Sequence, residues 1–167
     1  MPKSAEIVEF LSALREKDVP GKLPEGLPRA VIDTNVLMDF WRFRDPRALP
    51  LLALLEKGAF AAVRDDETEN EFAEVLGRPQ FGVPLAEQKR ILALWHGLSH
   101  RISETLPAPF GCPDPLDQKL LDLAYSGKAS LLVTKDRLVL KAGRRTRKAG
   151  LLTALPEDAP ALLARQG

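Results

Sequence analysis

The chain has 167 residues, 45% of them hydrophobic and 28% charged, with a formal net charge of +1 at pH 7. That length supports one domain with a substantial core, and that composition excludes a disordered polyelectrolyte. No apolar run approaches the roughly 20 residues of a membrane span, and the charge balance leaves any basic surface to local clustering. The single cysteine, Cys112, cannot form an intramolecular disulfide, so a reducing, cytoplasmic location is expected.

Residues 1–28 read as an N-terminal helical extension with a Pro-containing connector. Ile7, Phe10, Leu11 and Leu14 recur at helical spacing behind Ser4, a suitable N-cap. Glu6 and Glu9 set this stretch apart from a signal peptide. Pro20, Pro24 and Pro28 keep the connector extended. The apolar stripe can pack on its own domain or meet an oligomer or partner. From 29 to 167 the pattern alternates. A short strand over 30–32 precedes helices over 35–42 and 46–57, with Gly58 as a stop signal. A second strand spans 60–63. Asp65 or Asp66 caps a helix to about Leu76, ended by Gly77-Arg-Pro79. Residues 85–98 form an amphipathic helix with Ile91, Leu92 and Trp95 on its apolar face. A weak strand at 101–102, a helix over 115–125, a clear strand over 129–133, a fifth strand over 151–155 and a helix over 156–165 follow. Strands alternating with helices predict an α/β fold: a mostly parallel sheet of about five strands, covered on both faces.

Four acids fall where such a sheet collects its strand ends. Asp33 closes the first strand, and Asp136 closes Leu131-Leu-Val-Thr-Lys in the same manner. Glu71 sits on the acidic helix after the second strand, sharing a face with Glu67 and Glu74. Asp117 lies one turn into the helix that Asp114 and Pro115 begin, where Asp114 reads first as a cap. A parallel sheet gathers its strand C-termini along one edge, where ligands bind. Clustered carboxylates repel unless a cation binds between them, and hard oxygen donors suit Mg²⁺ or Mn²⁺. Taken singly, Asp33 and Asp136 could be turn or cap residues, and the acids of the 66–76 helix could be dipole complements.

Four segments in order resemble those of PIN-domain proteins, more narrowly the toxin branch of toxin–antitoxin systems (VapC-like ribonucleases). They are Asp33-Thr-Asn-Val-Leu, Glu71-Phe-Ala-Glu-Val-Leu-Gly-Arg-Pro, Asp114-Pro-Leu-Asp-Gln-Lys and Val133-Thr-Lys-Asp136, and the likeness runs from about Ala30 to Leu163. Lys135 departs from the glycine common there, which puts a long cation beside the site or stiffens the turn. The resemblance implies a Rossmann-like three-layer PIN fold and a metal-dependent endoribonuclease. Asp33, Glu71, Asp117 and Asp136 would be its catalytic, metal-holding acids, with Asp114 a further candidate ligand. Thr34, Asn35 and Thr134 would support them from behind. Hydrolysis should leave a 5′-phosphate and a 3′-hydroxyl. An antitoxin protein and a homodimer are partners that only the resemblance suggests.

Substrate phosphates need positive charge near this acidic site. Arg137, Lys141, Arg144, Arg145, Arg147 and Lys148 follow Asp136 without an intervening acid and are the candidate RNA-binding residues. Arg42, Arg44 and Arg47 form a second group. Trp41 and Phe43 can stack on bases, although core packing is the favoured reading of both. His96 and His100, spaced four apart on a helix, read as surface or capping residues because no metalloprotease motif accompanies them. Cys112 reads as structural. No Gly-rich nucleotide loop is present. A non-catalytic PIN-like module that binds RNA or protein is the alternative function. A phosphotransfer domain is disfavoured because Asn35 stands where a second aspartate would be needed.

Overall fold

A computed structural model of the chain describes residues 4–19, 22–111 and 115–166. The elements run α1 (Ala5–Glu16), β1 (Arg29–Ile32), α2 (Thr34–Trp41), α3 (Leu49–Glu56), β2 (Ala61–Arg64), α4 (Asp66–Leu76), α5 (Leu85–Leu98), β3 (Ser99–Arg101), α6 (Gln118–Ser126), β4 (Leu131–Val133), α7 (Arg137–Thr146), β5 (Leu152–Ala154) and α8 (Ala159–Gln166). Local chemistry sets most boundaries. Ser4 caps α1 by accepting from the Ile7 amide at 3.2 Å. Asp65 caps α4 in a reciprocal box with Thr68, which satisfies amides that the first helical turn leaves open. Gly58 ends the α3 turn with φ +74°, a left-handed conformation that glycine adopts freely.

The five strands form one all-parallel sheet in the order β3-β2-β1-β4-β5. The chain builds outward from β1 to β3, then returns to lay β4 against the other side of β1. The switch point therefore falls between β1 and β4, where Ile32 pairs with Val133. Strand side chains alternate between faces, and this divides the core in two. Ala30, Ile32, Ala62, Leu131 and Val133 join residues of α1–α5 and α8 on one face. Val31, Val63 and Leu132 join α6 and α7 on the other. The result is a three-layer α/β/α fold with a sheet buried on both sides, as the apolar strands require.

The N-terminal helix belongs to the first layer. Ile7 and Leu11 are buried in the shared core, and α1 packs against α5, so its stripe is covered by the chain itself. Two expectations need correction, and one element was not foreseen. β3 occupies 99–101 rather than 101–102, placing His100 on a strand and not on the helix with His96. Residues 46–48 form a turn, and α3 begins at Leu49. The basic run after Asp136 is a helix, α7, which the density of cations concealed: Val139, Ala142, Gly143 and Thr146 face inward at helical spacing. No helix among the described residues is long and apolar enough to cross a membrane.

Candidate active site

Asp33, Glu71, Asp117 and Asp136 line one cleft of about 360 Å³ together with Thr34, Asn35 and Lys135. Each arrives on a different element. Asp33 follows β1 and precedes α2, at the switch point. Its amide donates to the Val133 carbonyl at 2.9 Å, which extends the β1–β4 ladder through the site. Thr134, fully buried one residue past β4, donates its hydroxyl to Asp33 Oδ2 at 2.7 Å. The same hydroxyl accepts from the Asp136 amide at 3.0 Å. One buried threonine thus ties the two strand-end acids together.

Asp136 also caps α7, its Oδ1 accepting from the Leu138 amide at 2.8 Å. Asp117 closes a 3-10 turn over Pro115–Asp117 that leads into α6. Glu71 projects from α4. It accepts from the Thr34 hydroxyl at 3.3 Å and pairs with Lys119 Nζ at 3.1 Å. Glu67 and Glu74 are not cleft residues: Glu67 is exposed and Glu74 pairs with Arg78 at 2.9 Å. Asn35 accepts from the Lys135 amide at 3.4 Å, bracing the turn between β4 and α7. Asp114 and Cys112 lie outside the described residues.

The electrostatics reflect crowding. Burial pushes the Asp33 carboxyl above its ordinary range, and the charges of Glu71 and Asp136 push the same way; bonds from the Thr134 hydroxyl and the Thr34 amide only partly oppose them. Cations stand beside this acidic rim. Lys119 bridges from α6 to Glu71. Lys135 lines the cleft, and its ammonium is 2.7 Å from Oδ2 of Asp39, a buried acid on α2. Neither Lys119 nor Asp39 carries a motif of its own, so spacing alone could not have singled them out.

The remaining candidates separate clearly. All six cations of 137–148 are exposed, five of them on or just beyond the outer face of α7 and Arg137 at its start beside Asp136. Arg44 and Arg47 make local contacts, to the Phe40 carbonyl and Asp45, and Arg42 reaches the Phe81 carbonyl. Trp41 packs among Phe40, Phe72 and Trp95, as core packing requires. Phe43 does not. It lies beyond the end of α2, is 49% exposed and lines the cleft. His96 also departs from expectation. It is buried between α4 and the end of the N-terminal segment, Nδ1 2.6 Å from Glu69 Oε2 and Nε2 2.9 Å from Asp18 Oδ1.

A parallel α/β sheet with acids gathered at its switch point suits a ligand bound through a cation. The chain belongs to the PIN-domain family, whose model matches residues 29–138 and so takes in all four acids. PIN domains are generally nucleases, which places hydrolysis of phosphodiester bonds at the level of the family. No curated protein matches the chain closely enough to count as a relative.

Proposed function

We propose that this chain is a metal-dependent endoribonuclease, acting as the toxin of a toxin–antitoxin pair. The observation that carries the reading is the convergence of Asp33, Glu71, Asp117 and Asp136, from four separate elements, on one cleft at the sheet's switch point. Among the described residues, no three acids, histidines or cysteines converge closely enough to form a ready-made metal cage. Mg²⁺ does not ask for one: it keeps several waters and binds through one or two carboxylates plus substrate phosphate. The all-oxygen donor set fits Mg²⁺ or Mn²⁺, as do the burial and the neighbouring acid charges that raise Asp33. Asp33, Asp117 and Asp136 would hold the ion between them, one or two directly and the rest through its bound waters, with Glu71 a direct or water-mediated ligand and Asp114 a further candidate. Bound there, it supplies Lewis acidity toward the phosphate oxygens and a hydrolytic water.

The chain's own groups do the rest. Thr134 fixes the Asp33 and Asp136 strand ends relative to each other, and Thr34 orients Glu71. Lys119 holds Glu71 against the neighbouring carboxylates. The exposed cations of α7 run about 15 Å away from Asp136 and offer a track for the RNA backbone. The toxin role, an antitoxin partner and a homodimer rest on motif resemblance.

The test is cleavage of structured and single-stranded RNAs with Mg²⁺, Mn²⁺ or EDTA, using wild type beside Asp33→Asn. Metal-dependent cutting that leaves 5′-phosphates and is lost in the variant is expected. Cyclic-phosphate ends, or cutting in EDTA, would reject the mechanism. A folded wild type that binds RNA without cutting any of the panel would favour the non-catalytic module. Growth arrest on induction of wild type, absent with Asp33→Asn, tests the toxin role.

A further inference from the structure

The cleft has two walls of opposite character. One carries the acids. The other is formed by Met38, Phe43, Val75 and Phe81, with Arg78 at its edge. Phosphodiester hydrolysis uses only the acidic wall, so the apolar one asks for a separate occupant. Most of its side chains are at least half-buried, but Phe43 is 49% exposed, an unusual setting for a phenyl ring that the fold could have left polar.

Its position is built rather than loose. The Phe43 amide donates to the Met38 carbonyl at 2.9 Å, and the Asp45 amide to the Asp39 carbonyl at 3.0 Å. Arg44 between them takes φ +52°, a left-handed conformation that a non-glycine side chain disfavours and that persists only where its surroundings impose it. Arg44 in turn donates to the Phe40 carbonyl at 2.9 Å. The ring itself meets Phe81 edge-on, with centroids 5.7 Å apart and planes at 78°. Arg42 lies with its guanidinium carbon 5.4 Å from the Phe43 centroid while its Nε donates to the Phe81 carbonyl at 2.7 Å. A flat apolar ring is therefore fixed in the same cleft as the acids, with a cation against it.

We infer that Phe43, buttressed by Phe81 and Arg42, is a nucleobase subsite on which an unpaired base next to the scissile phosphate stacks. The inference rests on the nuclease reading above. Stacking on an aromatic ring suits a single-stranded base because every base has a π face, and the adjacent guanidinium adds attraction for the nucleotide's phosphate. Phe43 and the four acids line the same cleft, which commits the occupant to the RNA being cut. The subsite selects unpaired RNA over duplex, whose bases are stacked on one another.

The test uses the Asp33→Asn chain, which retains the cleft without cutting, and single-stranded oligoribonucleotides carrying 2-aminopurine at successive positions around the wild-type cleavage site. Quenching at one position is expected, lost in Phe43→Leu and restored in Phe43→Tyr. Affinity for the same RNA should fall about five- to 150-fold in Phe43→Leu, the range of losing one stacked base. An abasic site at that position should make binding indifferent to the Phe43 substitution. Phe43 is exposed, so the variants should melt with the parent. Quenching and affinity unchanged in Phe43→Leu, with wild-type cleavage intact, would overturn the subsite alone. Loss of binding to a partner polypeptide with RNA affinity untouched would make this wall a protein-docking surface and overturn it too. RNA neither bound nor cut by wild type would overturn both readings.

Discussion

At the residue scale the site is governed by charges that the fold forces together. Asp33 is 9% exposed and its carboxyl is raised, first by burial and then by Glu71 and Asp136. The sign of the linkage follows. Between the ordinary carboxylate pKa and the raised one, the folded chain binds more protons than the unfolded chain, so stability falls as pH rises through that window. Metal-free Asp33→Asn should therefore melt higher than wild type at neutral pH. The gap should close when the pH drops below the ordinary carboxylate range; a calorimetric pH series in EDTA checks it. A lower melting temperature for the variant at every pH would make Asp33 a structural residue. Thr134 sits behind the acids and touches both strand ends. Thr134→Val keeps the shape but leaves Asp33 Oδ2 and the Asp136 amide without that hydroxyl. Affinity for Mn²⁺ should fall about 10- to 100-fold in a titration, while the melting curve stays cooperative.

At the element scale the unforeseen feature is how α4 is held. Glu69, fully buried, faces Arg15 Nε at 2.8 Å, His96 Nδ1 at 2.6 Å and Arg64 Nε at 3.8 Å. Arg15 also reaches Asn70 Oδ1 at 2.8 Å, and Asp18 closes the cluster on the far side of His96. The N-terminal segment thus grips the helix that carries Glu71, two residues along. Burial alone would raise the Glu69 carboxyl, but the bonds from His96 and Arg15 and the charges of Arg64 and His96 outweigh it and hold it below the ordinary range. Its contribution to stability is then present above the ordinary carboxylate range and lost as pH falls through the lowered value. Glu69→Ala removes the carboxylate that Arg15, His96 and Arg64 share, and leaves Arg64, itself 1% exposed, with Asp18 at 3.4 Å as its acidic partner among the described residues. Breaking such a pair from one side should cost about 3–5 kcal/mol in a urea melt at neutral pH. A loss under about 1 kcal/mol would mean the surrounding groups relax around the gap.

At the scale of the whole molecule, charge is separated although its sum is +1. The acids gather at the cleft, and six exposed cations follow from Asp136 along and beyond α7. A helix with Val139, Ala142 and Thr146 turned to the core must present its polar residues outward, so the same amphipathic pattern that packs α7 also displays the cations. If they track the RNA backbone, replacing Arg144, Arg145 and Arg147 by Gln should reduce the slope of log affinity against log salt by about 2, at roughly 0.7 per phosphate contact on a single strand. An unchanged slope would move the phosphate contacts elsewhere. Read on the non-cutting Asp33→Asn background in EDTA, the slope reports binding without turnover or metal.

The amino-acid sequence by itself determined the layered parallel fold and the four acids. A strand, its closing acid and the helix behind it are specified within about ten residues, and alternating apolar segments leave few topologies open. The caps at Ser4 and Asp65 were legible for the same local reason. Only the tertiary structure decided which groups stand beside those acids. Lys119 reaches Glu71 across two layers, and Lys135 turns to Asp39. His96 is enclosed by Glu69 and Asp18, 27 and 78 residues away in the chain. Periodicity cannot tell a solvated charge from a buried one, since both occupy the polar positions of a helix until a second element covers them. Phe43 shows the converse. As a residue type it belongs in the core, but it falls one turn-residue past the end of α2, where the backbone, fixed by Arg44, holds the ring out in the cleft.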